Sequence, residues 1–137
     1  MGNFIEDFIK QNENVFHFRK QVMSDFKSAD NNLDRIKDFL MECNYNPAVG
    51  VEFACLLQVL DKPYNFSDFE LADISRLFQS LIKLEPGHVD AYLEAAHFEW
   101  AVMDNSQAAV AVANEGIKRA TEKIKELQSL LLSIEQN

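Results

Sequence analysis

An all-α fold of antiparallel helical hairpins, about seven helices with a long final one, is predicted by three observations on the 137-residue chain. Helix breakers are scarce: Pro occurs only at Pro47, Pro63 and Pro86, Gly only at Gly2, Gly50, Gly87 and Gly116, and residues 3–46 hold neither. Apolar side chains recur at steps of three and four, the period of a helix with one buried face. Thr121 is the only threonine, which sets the chain apart from Thr-rich β proteins.

The turns divide the chain. A short first helix is expected from Asn3 to Gln11 and a second from about Asn14 to Ala29, with Val15, Phe18, Val22 and Phe26 facing inward. After Asp30-Asn31-Asn32, Leu33, Ile36, Phe39, Leu40 and Cys43 mark a third. Asn46-Pro47 opens a fourth, running to about Leu60 and burying Val49, Phe53, Leu56, Leu57 and Leu60. Ser67-Asp68-Phe69-Glu70 reads as a capping box, in which the Ser hydroxyl and Glu carboxylate would satisfy orphaned N–H groups, and starts a fifth helix ending at Leu84. Glu85-Pro86-Gly87 separates it from a sixth, about His88 to Met103. Asp104-Asn105-Ser106 turns into a seventh that continues to Gln136.

Length and apolar content fit one folded domain: 47% of residues are hydrophobic and 11% aromatic. Within it, residues 1–45 read as N-terminal helices, 46–84 and 85–121 as successive hairpins, and 122–137 as an extension of the last helix. The net charge of -9 opposes phosphate binding, so nucleic acid is not an expected partner. No apolar run reaches the roughly 18–20 residues that span a bilayer, and Glu6 and Asp7 stand where a signal peptide would be basic. Glu6 also breaks the myristoylation pattern begun by Gly2. Cys43 and Cys55 are expected to be buried thiols in a reducing compartment. A cytoplasmic protein without a membrane partner is the expectation.

Asn46-Pro47 and Glu85-Pro86 are 39 residues apart, each between two helices. Each proline has a phenylalanine eight residues before it, Phe39 and Phe78, and an aromatic six residues after it, Phe53 and Tyr92. Such repetition marks helix pairs that bury a face only against their neighbours. Here the chain resembles the tetratricopeptide-repeat family. The best match covers residues 86–116, with Pro86, Tyr92, Ala96, Asp104 and Ala108 at the family's positions, and a degenerate match lies upstream. Ala95, Glu99 and Met103 depart from the family's Leu, aromatic and Gly. The resemblance implies a short α-solenoid whose concave groove is lined by the first helix of each pair.

In that register the groove residues would be Asp90, Leu93, Glu94, His97, Trp100 and Ala101, an amphipathic patch suited to a peptide or helix. Trp100 packing against the preceding hairpin is the competing expectation. The family's carboxylate clamp needs Lys, Arg and Asn here; Asp and His in their place argue against that ligand. The formal charge is -3 over residues 1–60, -7 over 61–115 and +1 over 116–137. Asp61, Asp68, Glu70, Asp73, Glu85, Asp90, Glu94 and Glu99 would steer a basic segment, or merely keep the surface soluble.

The last helix carries a seam. Val110, Ala113, Ile117, Ala120, Ile124, Leu127, Leu131 and Ile134 alternate steps of three and four, widened by Leu130 and Leu132. It is expected to cap the open end of the helical stack, or else to dimerise or dock a partner. Chemistry has little support. Glu94 and His97 have the i, i+3 spacing of a di-iron half-site, but a di-metal site wants two such half-sites on helices plus further carboxylates. There is no Walker loop, GxGxxG or CxxC. No catalytic residue, metal or cofactor is therefore expected. The favoured reading is a non-enzymatic scaffold for a protein or peptide. The alternatives are a small acidic chaperone, resembling those that hold secretion-system subunits, and a metal-dependent helical-bundle enzyme.

Overall fold

The structure, a computed structural model, describes residues 4–27, 46–58 and 69–137. All regular structure among these residues is helical: α1 (Phe4–Lys27), α2 (Pro47–Leu57), α3 (Leu71–Leu84), α4 (Val89–Ala101) and α5 (Ser106–Glu135). The expected third helix, Pro63, the Ser67 cap and the acidic residues Asp61 and Asp68 lie outside the described residues. The chain divides into two compact units, Met1–Val49 and Gly50–Asn137.

In the first unit, the two expected N-terminal helices are one 24-residue helix, α1. The expected break between Gln11 and Asn14 is absent: with no Gly or Pro there, the modest helix preference of Asn12 and Asn14 does not end the spiral. Val15 and Phe18 are exposed rather than inward-facing. Lys20 Nζ lies 5.4 Å from the centre of the Phe16 ring, and Phe4 stacks on Phe8 at 6.0 Å.

Asn46 begins α2 as expected: its Oδ1 accepts hydrogen bonds from Ala48 N–H at 3.1 Å and Val49 N–H at 3.3 Å, satisfying two orphan donors. Val49, Leu56 and Leu57 are buried, and Phe53 is half-buried.

The second unit is built around Phe78. This ring is 1% exposed, packs 5.8 Å from Phe98, and shares a core with Ala54, Leu57, Ile74 and Ala95. Val51, Leu81 and Ala91 form a second cluster, bridged to the first by Cys55, Leu77 and Ile82. Thus α2, α3 and α4 each contribute one apolar stripe to a shared interior. Gly50 lets α2 approach α3 closely, since a Cβ there would stand 2.5 Å from Leu81 Cδ2.

The caps fix the helix ends. The box at the start of α3 falls three residues later than expected: Asp73 Oδ2 accepts the Glu70 N–H at 2.7 Å, and the helix starts at Leu71. Asp73 competes successfully for the role assigned to Glu70 because its short carboxylate reaches back one turn. At the head of α4, Tyr92 OH donates to the Pro86 carbonyl at 2.8 Å, tying the Pro-Gly turn to the helix that follows. Asp104 takes a positive φ of 52°, and Asn105 Oδ1 accepts the Ala108 N–H at 3.1 Å to open α5.

Candidate functional site

The helix α4 has two working faces. One carries the core residues Ala91, Tyr92, Ala95 and Phe98. Two acidic side chains beside it tie α4 to its neighbours: Glu94 Oε2 accepts the Cys55 thiol of α2 at 3.5 Å, and Glu99 Oε1 accepts the Ser75 hydroxyl of α3 at 2.5 Å. Burial first, and then the Glu94 carboxylate, push the Cys55 thiol up to about 12. The thiol is therefore protonated and a poor nucleophile at neutral pH.

The other face opens into a groove. Val89, Tyr92, Leu93 and Ala96 of α4 line one wall; Ala113, Gly116, Ile117 and Ala120 of α5 line the other, around a volume of about 270 Å³. The small residues on α5 let the helices meet closely. At Gly116 a Cβ would stand only 2.6 Å from Tyr92 Cβ, so any side chain there would force the helices apart. No charged side chain lines this groove. A second depression, about 320 Å³, lies beyond Tyr92 and is edged by Gln79, Lys83 and Glu115, a more polar rim.

Of the residues expected to meet a partner, Leu93 and Ile117 line the groove. Trp100 lies one turn beyond Ala96 on the same α4 stripe, given the spacing 89, 93, 96, 100. Its indole is 61% exposed and 6.2 Å from the His97 ring, which settles against a core position. Asp90, His97 and Ala101 are exposed on the adjacent stripe. Glu94, also expected to meet a partner, is half-buried, and its Oε2 accepts from the Cys55 thiol of α2. His88 occupies the N-cap of α4 without capping it, and its Nε2 is buried with no hydrogen-bond partner. Among the described residues no group of three or more His, Cys, Asp or Glu side chains could hold a metal ion, so Glu94 and His97 gather no third ligand.

The seam continues the groove. Ala113, Ile117 and Ala120 belong to both, and the line runs on through Ile124, Leu127, Leu131 and Ile134. Every residue from Thr121 to Asn137 is exposed. Because α5 is one uninterrupted helix, its second half does not fold back over α4 or its own first half, and among the described residues of the Gly50–Asn137 unit it presents an exposed apolar face. Sequence periodicity located the seam. It missed the contribution of Val89, Tyr92 and Ala96 because a helix period does not say which neighbouring helix stands across a stripe. The signal was the run of small residues, Ala113, Gly116 and Ala120, facing a ridge of larger ones.

No protein-family model, curated protein or solved structure matches this chain. Among the described residues no helix is long and apolar enough to cross a membrane.

Proposed function

We propose that this chain is a non-enzymatic protein-interaction module, with tetratricopeptide-like packing in its second unit, that holds an amphipathic helix or peptide in the α4–α5 groove and along the α5 seam. The observation that carries the reading is the continuity of groove and seam. A single apolar strip runs from Leu93 and Ile117 to Ile134 with nothing over it among the described residues of its own unit. Strips of this kind on soluble chains mark interaction sites. The Tyr92–Pro86 bond and the Gly116–Tyr92 approach support a hairpin of the tetratricopeptide type. The exposed Asp90, next to the groove-lining Val89, supplies an acidic side chain that favours a basic segment.

The binding mode is helix-in-groove, with apolar anchors at i, i+3, i+4 and i+7 of the guest entering the strip. Trp100 is the chain's only tryptophan, so its emission reports the event directly. Titration with a cationic amphipathic helical peptide is expected to shift that emission to the blue, while a proline-interrupted peptide of the same composition leaves it unchanged. In a labelled-peptide assay, Trp100→Ala should weaken binding by about 1–3 kcal/mol, as for an aromatic anchor, with the helical circular dichroism retained. Equal response to both peptides, or loss of cooperative unfolding in Trp100→Ala, would overturn the reading.

A further inference from the structure

Charge is not spread evenly along the strip. Lys83 and Lys118 bracket a stretch, residues 84–117, that holds all of α4 and the groove residues Ala113, Gly116 and Ile117 of α5. It contains six acidic residues, Glu85, Asp90, Glu94, Glu99, Asp104 and Glu115, and no Lys or Arg. From Lys118 to Asn137 the balance reverses, with four basic residues, Lys118, Arg119, Lys123 and Lys125, against Glu122, Glu126 and Glu135. Because the 102–105 turn joins α4 to α5, Trp100 and the exposed Asp104 mark one end of the groove, and the second half of α5 leaves past Val89 at the other. The strip is therefore acidic along α4 and weakly basic or uncharged beyond it. We propose that the partner is an amphipathic helix with segregated charge: its Arg or Lys side chains gather in the half that lies over α4, between Trp100 and Asp90, and the half along Ile124–Ile134 carries no cation. This rests on the reading of groove and seam as a helix-binding surface, and it specifies the partner's charge pattern and its placement.

Attraction and exclusion act at opposite ends. Over α4, the exposed Asp90 and Asp104 belong to a stretch with no Lys or Arg of its own, so a guest cation meets a field that nothing nearby neutralises. Trp100 adds a second, independent attraction: an exposed indole beside His97 receives an ammonium or guanidinium group through its π-system, and a planar guanidinium also stacks on it. The groove walls themselves are uncharged, so these cations sit at the rim while apolar anchors enter between Val89 and Ala96. On the far half, Lys123 borders Ile124, and its exposed ammonium, 2.8 Å from Glu126 Oε2, repels a guest cation. From Leu127 to Ile134 no side chain is charged, and a guest cation there would lie over apolar surface without a partner. A helix laid the wrong way round, or one basic throughout, therefore meets like charge or none on half its length, which is how unpaired charge selects a register.

From Val110 to Ile134 the strip is about 36 Å long, the span of a helix of about 24 residues. The probes are two helical peptides of that length with one composition and one apolar register. The first gathers its basic residues in one half, and the second spreads them evenly along its polar face. Labelled-peptide anisotropy with the full chain at low salt should show the segregated peptide binding at least about tenfold tighter, and added salt should close the gap. A nitroxide on its basic end should quench Trp100, and one on its uncharged end should not. Lys123→Glu, at an exposed site, should narrow the gap by admitting cations to the seam, with helical circular dichroism unchanged. Asp90→Asn, also exposed, should weaken the segregated peptide more than the even one. Equal affinity of the two peptides, quenching from the uncharged end, or a gap that Lys123→Glu leaves unchanged would each overturn the proposal. If both peptides bind equally and shift the Trp100 emission, the charge pattern alone has failed. If neither binds, the interaction-module reading fails with it.

Discussion

Cys55 and Gly116 show how much of the second unit depends on single atoms. The Cys55 thiol ionises at its ordinary value of 9.0 when unfolded and only at about 12 when folded, so the folded state keeps its proton longer. The stability contributed by that difference is complete below pH 9 and is lost as pH rises from 9 to about 12. Urea unfolding across this window should show Cys55→Ser losing less stability with pH than the wild type, since a serine hydroxyl donates to Glu94 without ionising. Equal slopes would contradict the upward push that burial first, and Glu94 second, give this thiol. At Gly116, substitution by Ala must push Tyr92 and α4 away from α5. A loss of about 1–3 kcal/mol is expected from this overpacking, read as a lower midpoint in denaturant. Neither contact is visible in the sequence, where Glu94 stands among the expected groove residues and Gly116 only among the helix breakers. The contact that explains each lies on another helix, 39 residues away for Glu94 and 24 for Gly116.

Helix ends were more legible than helix faces. Glu85-Pro86-Gly87 and Asp104-Asn105-Ser106 delimit α4 and the start of α5 within two residues, because proline, a left-handed Asp104 and an Asn cap each act on the local backbone. The Asn12-to-Asn14 break failed because asparagine permits a turn without requiring one. The start of α3 falls at the Glu70 cap and not at Ser67 because two overlapping boxes compete and a local pattern does not rank them. At the head of α4, His88 leaves a cap vacant, so His88→Ser should stabilise the fold by about 0.5–2 kcal/mol, seen as a raised melting temperature. On the far half of α5 the opposite holds. Ile124→Asp replaces an exposed side chain, and stability at low protein concentration should change by no more than about 0.5 kcal/mol. A large loss there would mean that the seam is already covered within the monomer.

Taken as a whole, the Gly50–Asn137 unit concentrates its order at one end. Phe78, Phe98 and Ile74 anchor the interior, while the last four turns of α5 extend beyond it with only local pairs such as Lys123–Glu126, at 2.8 Å, along their length. A solvated helix of some fifteen residues is marginal by itself. On the proposed reading, its leucines are the surface that a bound helix orders. Periodicity in the sequence was enough to mark that surface, and the slot formed with Val89, Leu93 and Ala96 became evident only once α4 was seen across from α5. The most direct test is amide hydrogen exchange over residues 113–135, with protein dilute enough to be monomeric, with and without the cationic amphipathic peptide. Free chain should exchange rapidly beyond Thr121, and bound chain should be protected along Ala113–Ile134 and at Val89–Ala96. Unchanged exchange in those segments at saturating peptide would contradict the assignment of groove and seam as the binding surface.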